Sequence, residues 1–258
     1  MHESTGLRNI LLDLEYDGTA FLGSQIQAAG RTVQGELERA LRQLTQQEVR
    51  ATLAGRTDAG VHAQGQRANF RTLSQLPLET IVRGLNALLP PDVAVQRAQE
   101  VAESFHARFD ARLRVYRYTL YNSPIRSPLA HRVAWQVTGS LDVAAMDAGL
   151  ALLVGKHDFA SYAGAGEGPA RVPRVTVRTI STAHCWAEMP WVYVEIAADS
   201  FLRHMVRNIV GELVRLGQGI TDLAGFRANW EARDRKRAGA PAPPQGLCLV
   251  RVEYDGGV

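Results

Sequence analysis

From Ile10 to Tyr16 the chain alternates: Ile10, Leu12, Leu14 and Tyr16 fall on one parity, and Leu11, Asp13 and Glu15 on the other. Successive side chains of a strand leave on opposite faces, so a period of two predicts a strand with one face buried. Asp17-Gly18 supplies the turn that ends it. Thr32 stands where a helix N-cap belongs, and Val33, Leu37, Leu41 and Leu44 then recur at helical spacing, which predicts an amphipathic helix lying on a sheet. A second helical pattern follows Pro77 and must stop before Pro90-Pro91, after which VAVQ (93–96) reads as a strand.

A comparable series restarts after residue 105. Strands are predicted near 111–121, 132–138, 174–184 and 191–197, with a helix near 142–154, a longer one near 201–216, a short one near 222–233 and a last strand at 247–254. Strands and helices mixed without regular alternation predict an α+β class with an antiparallel sheet covered by helices. A chain of 258 residues accommodates two domains of ordinary size, expected at 1–105 and 106–258. Two stretches break the periodicity. AGAGEGP (163–169) has the glycine content of a phosphate-cradling loop, but Pro169 and Pro173 follow where a helix would have to begin, so a mobile loop is expected. RKRAGAPAPPQG (235–246) reads as a solvated, basic, proline-rich connector able to touch RNA.

Composition narrows the classes. An apolar fraction of 46% with 21% charged residues is that of a globular chain with material for a core, which argues against disorder. Of the 29 lysines and arginines only Lys156 and Lys236 are lysines, which leaves 27 arginines. A planar guanidinium binds phosphate bidentately and stacks on bases; a GC-rich genome also favours arginine, and the residues alone do not separate the two causes. Cys185 and Cys248 are isolated, so neither a disulfide framework nor a zinc ribbon is supported, and a reducing cytoplasm fits. Neither a signal peptide nor a membrane span is expected, because no apolar run is long enough.

The segment AGRTDAGVHAQGQ (54–66) lies between two strand-like runs, and Gly55 and Gly60 allow a tight loop presenting Arg56, Thr57 and Asp58. A loop Asp by itself most often makes an Asx turn. His62 stands four residues after Asp58 without a third ligand nearby, which argues against a metal site. In ARLRVYRYTLY (111–121) strand alternation places Arg112, Arg114, Tyr116 and Tyr118 on one face, pairing phosphate-binding groups with stacking surfaces; solvated arginines over core tyrosines fit the same pattern. On FLRHMVRNIVGELVRL (201–216), Arg203, Arg207 and Gly211 lie beside the apolar stripe. At this point the residues leave open a non-catalytic RNA-binding protein and a metal-dependent RNA hydrolase.

AGRTDAGVH resembles the catalytic signature of the TruA family of tRNA pseudouridine synthases. EYDGTAF (15–21), TVQGELERAL (32–41), LNALLP (85–90), SFHARFDARLRVYRY (104–118), FLRHMVRNIVG (201–211) and GLCLVRVEY (246–254) resemble further blocks of that family in its order, so the similarity spans nearly the whole chain. Ser24 stands where the family usually has Trp, and 158–175 follows the family only loosely. The resemblance implies two similar α/β-sandwich halves whose mainly antiparallel sheets join into one, with the active site in the central cleft. It implies Asp58 as the catalytic carboxylate, Tyr116 as the ring that stacks on the target uracil, and Arg207 as the carboxylate's charge partner. Arg56 is implied to hold the flipped nucleotide out, and Arg112, Arg114, Arg203 and His204 are expected to contact RNA. The implied substrate is the anticodon stem-loop of tRNA at uridines 38, 39 and 40, and the implied assembly is a homodimer. Isomerisation moves the uracil attachment from N1 to C5 with no net gain or loss of atoms, so no redox cofactor, other small-molecule cofactor, energy source or metal is expected.

Overall fold

A computed structural model describes residues 6–164 and 175–257. Along the chain run β1 (Arg8–Tyr16), α1 (Val33–Thr45), β2 (Ala51–Leu53), β3 (His62–Thr72), α2 (Leu78–Leu88), β4 (Val93–Val101) and β5 (Ala111–Asn122). Then follow β6 (Trp135–Val137), α3 (Val143–Ala151), β7 (Gly155–Asp158), β8 (Val177–Glu188), β9 (Trp191–Ala198), α4 (Met205–Gly217), α5 (Leu223–Glu231) and β10 (Leu247–Tyr254). The class is α+β, as expected. Two compact units emerge, one of residues up to Arg114 together with Leu249 onward, the other of Val115–Cys248. The division falls inside β5, and most of the last strand belongs to the first unit.

In the first unit the strand order is β4-β1-β3-β10, with β2 on β3. β1 is central and antiparallel to both neighbours, pairing Leu12 with Ala68 on one side and Ala98 on the other. Val33, Leu37, Ala40 and Leu41 of α1 and Ile81 and Leu85 of α2 are buried. Thr32 caps α1, its hydroxyl accepting the Gly35 N–H at 3.2 Å. The alternation in β1 is less clean than one buried face predicts, since Leu11 is as fully buried as Ile10 and Leu12. The reason is the segment 102–110: Asn9 donates to the carbonyls of Ala102 and Phe105, and Asn69 accepts the Ala107 N–H, so this stretch covers the face that Leu11 shares.

The second unit runs β5-β9-β8-β7, with β6 added parallel to β5. β7, which pairs with β8, had no counterpart among the predicted elements; its four residues GKHD carry no apolar periodicity. α4 starts at Met205 and not near 201, because His204 sits at φ 61°, ψ 3°, outside the helical region. Its apolar stripe is buried from Met205 to Leu216, and Asp222 caps α5 by accepting the Gly225 N–H.

The connector 235–246 departs from expectation. It is docked on α4, with Ala238 and Ala242 buried. Gly239 N–H donates to the fully buried Glu212 carboxylate, Arg235 donates to Asn208 Oδ1, and Arg207 exchanges two hydrogen bonds with Ala242. A Cβ on Gly211 would stand 2.1 Å from the Ala240 carbonyl oxygen, so the glycine in α4 permits this close approach. The connector's polar backbone thus finds fixed partners that a solvated loop would take from water. The loop expected at 163–169 lies, beyond Gly164, outside the described residues.

Candidate active site

The loop between β2 and β3 is held at nearly every backbone position. At its root Ala54 N–H donates to Arg67 O at 2.7 Å. The side-chain amide of Gln66, itself fully buried, donates to Gly55 O at 2.9 Å and accepts the Gly55 N–H at 3.3 Å, acting as a strand partner would. Ser24, also fully buried, accepts the Thr57 N–H on its hydroxyl at 2.8 Å, while its own N–H donates to Thr57 O at 3.1 Å. The Thr57 hydroxyl lies 2.8 Å from that of Tyr16, which in turn accepts from Gln66. Val61 N–H closes the turn onto Asp58 O at 3.1 Å.

Two glycines let the chain pass this close. Gly23 has φ +110°, and a Cβ there would stand 2.9 Å from Thr57 O; a Cβ on Gly18 would stand 2.0 Å from Val61 O. Asp58 is half-buried and Arg56 exposed, on either side of a Thr57 fixed by side chain and backbone alike. His62 Nδ1 lies 3.0 Å from the Gly18 amide nitrogen and 3.2 Å from Asp17 Oδ1, which ties the histidine to the turn after β1. Among the described residues no three His, Cys, Asp or Glu side chains group as a metal site.

Arg114 differs from the expected phosphate fork. It is buried, and its guanidinium donates to the carbonyls of Ala54, Ala111 and Arg108. The strand carries it into the interior of the first unit, where carbonyls are the available acceptors, and there it clamps the root of the Asp58 loop. Arg112, two residues earlier in the same strand, is exposed and paired with Asp255 at 2.7 Å.

In the second unit Tyr116 is buried with its ring edge-on to Phe201, centroids 5.1 Å apart. Tyr118 is core: its hydroxyl donates to Pro243 O at 2.7 Å, and burial pushes its phenol far above the ordinary range, against the nearby Arg207 charge. Arg207 is half-buried, its Nε donating to Ala242 O at 2.7 Å. Arg203 is exposed and His204 half-buried at the start of α4, where Gly164 N–H donates to Arg203 O. Sequence reasoning missed Tyr16, Ser24 and Gln66 as positioning groups. Gln66 carried a signal, a polar residue at a position facing Leu14 in the sheet, where an apolar one would be ordinary.

Comparison with known proteins adds an independent line. A family model described as tRNA pseudouridine synthase matches residues 14–110 and 150–255. A protein of Roseiflexus castenholzii named tRNA pseudouridine synthase A is 49% identical over 253 residues, covering 96% of this chain and 91% of its own length. Proteins of the same name from Geobacter sp. strain M21 and Moorella thermoacetica are 43% and 44% identical, covering 96% and 94% of this chain and 99% and 98% of their own.

Proposed function

The chain belongs to the tRNA pseudouridine synthase family and is an isomerase of tRNA uridines, and from that premise we propose that Asp58 is its catalytic carboxylate and the anticodon arm its target, at uridines 38, 39 and 40. The reaction breaks the N1 to C1′ bond, turns the uracil in place and joins C1′ to C5; C5 loses a proton and N1 gains one. What it asks of the protein is a carboxylate held in a fixed position and an environment that retains the free base. The observation that carries the assignment is the immobilised backbone around Asp58: Thr57 is held through its amide, carbonyl and hydroxyl, and Val61 is bonded back to Asp58. Such pre-organisation stabilises a reacting group without reordering at each turnover.

Tyr116 and Arg207 are proposed as further groups of the reaction on the sequence resemblance, Tyr116 as a stacking ring and Arg207 as a source of positive charge. Arg56, Arg112, Arg203 and His204 are proposed to contact RNA, whereas Arg114 acts by positioning the loop root. Recognition of three neighbouring uridines fits a reader of tRNA shape and phosphates more than of base edges. The same reading makes the protein a cytoplasmic homodimer. No helix of the described residues is long and apolar enough to cross a membrane.

The test uses unmodified tRNA with pseudouridine mapped by carbodiimide labelling. The wild-type protein is expected to mark positions 38, 39 and 40 without changing RNA length, and Asp58→Asn to bind tRNA with about 10³-fold lower turnover. A variant that retains turnover refutes the role of Asp58; marks elsewhere in tRNA refute the anticodon-arm assignment alone.

A further inference from the structure

Phe109 is 72% exposed, at the end of the segment that covers one face of the first unit's sheet, and it adds nothing to that unit's core. Its surroundings are built with care for so exposed a ring. Asn9 and Asn69 fix the segment to the sheet, Tyr254 donates to Ala107 O at 2.7 Å, and Arg114 donates to Arg108 O. His106 Nδ1 accepts the N–H groups of Arg108 and Phe109 at 3.2 and 3.3 Å, which places the imidazole proton on Nε2 and locks the ring. Asp110 closes the turn by accepting the His106 N–H. On this base the His106 and Phe109 rings stack, centroids 4.2 Å apart and 28° from parallel, with the Arg108 guanidinium 5.7 Å from the Phe109 centroid. Arg108 is exposed, as is the neighbouring Arg112.

We infer that the His106-Phe109 pair is a stacking platform for an unpaired nucleobase of the tRNA substrate, with Arg108 contacting the adjoining phosphate. A flat π-surface held rigid loses no freedom when a base lies on it, and stacking tolerates any base because each has a π-face. The cation beside the ring suits a polyanion and disfavours an acid-poor apolar partner. The platform needs tRNA as the substrate class but not Asp58 as the catalyst.

Four variants test it: Phe109→Ala, Phe109→Leu, Phe109→Trp and His106→Ala, each with an intact thermal transition. Binding of unmodified tRNA is measured by filter retention at fixed salt, and turnover is followed by pseudouridine formation. Phe109→Ala and Phe109→Leu are expected to raise Kd and KM about tenfold with kcat at saturating tRNA unchanged; His106→Ala gives a smaller rise, and Phe109→Trp restores wild-type binding. Wild-type Kd in both Phe109→Ala and Phe109→Leu overturns the platform, as does a loss confined to kcat. A change of oligomeric state on sedimentation of Phe109→Ala also overturns it, since the ring would then serve a protein contact. Full turnover in Asp58→Asn with weakened binding in Phe109→Ala refutes the catalytic assignment and leaves the platform standing.

Discussion

Replacing Ser24 by Ala removes one oxygen from the interior of the first unit and no other contact. That oxygen accepts the Thr57 N–H at 2.8 Å, and Ser24 has no exposed surface, so water does not replace it. A buried amide left without its acceptor costs about 1–3 kcal/mol, and the oxygen-sized void adds a few tenths. Ser24 N–H still donates to Thr57 O, and the Tyr16 and Thr57 hydroxyls still meet, so the loop is loosened but not released. A domain stable by roughly 5–15 kcal/mol tolerates this, and the variant folds. Turnover is the more sensitive readout, because small displacements of a reacting group cost about 10-fold to 100-fold in rate. Urea unfolding is expected to show a loss of about 1–3 kcal/mol at unchanged m-value, and single-turnover pseudouridine formation about a tenfold lower rate at little changed KM. A loss below about 0.5 kcal/mol together with wild-type turnover would refute the view that Ser24 positions the Asp58 loop.

Glu212 is fully buried, accepting from Asn229 and from the Gly239 N–H at 2.9 and 2.8 Å, with Arg215 Nε 3.5 Å from the same carboxylate; Glu212→Ala strands both amide donors, and a loss of about 2–6 kcal/mol, about 1–3 for each, is expected in denaturant unfolding. The same variant should free the connector, so that trypsin cuts near Arg235-Lys236-Arg237 in otherwise native protein, where the wild type resists. Burial, reinforced by Asp147, pushes the Cys185 thiol up to about 12, and burial likewise raises the Tyr254 phenol. The folded chain then keeps protons that the unfolded chain releases, so this stability is whole below about pH 9 and is lost as pH rises towards 12. The urea midpoint should fall between pH 8 and 10.5, and fall less in Cys185→Ala. Native Cys185 should resist iodoacetamide at pH 8.5 by peptide mapping; labelling at the rate of a free thiol would contradict its burial.

Much of the architecture can be read in the chain because the signals are local. Period-two runs gave β1, β5 and β10, and the spacing of Val33, Leu37 and Leu41 behind Thr32 gave α1 with its cap, since backbone geometry translates spacing directly into faces. The glycines and Asp of residues 54–61 marked a loop, and their likeness to a family signature is what the proposed role of Asp58 rests on. What the local pattern could not convey is who meets whom at a distance. Ser24 and Thr57 lie 33 residues apart, and no periodicity announces their pairing. Arg114 looks like a phosphate ligand beside Arg112 until the fold turns its donors onto the carbonyls of Ala54 and Arg108. The connector's prolines and cations resemble solvated chain, yet Glu212, Asn208 and Arg207 satisfy its backbone and side chains. Local sequence fixes which face a side chain takes; whether a polar group there serves solvent, substrate or the fold depends on which distant acceptor the tertiary structure brings within about 3 Å.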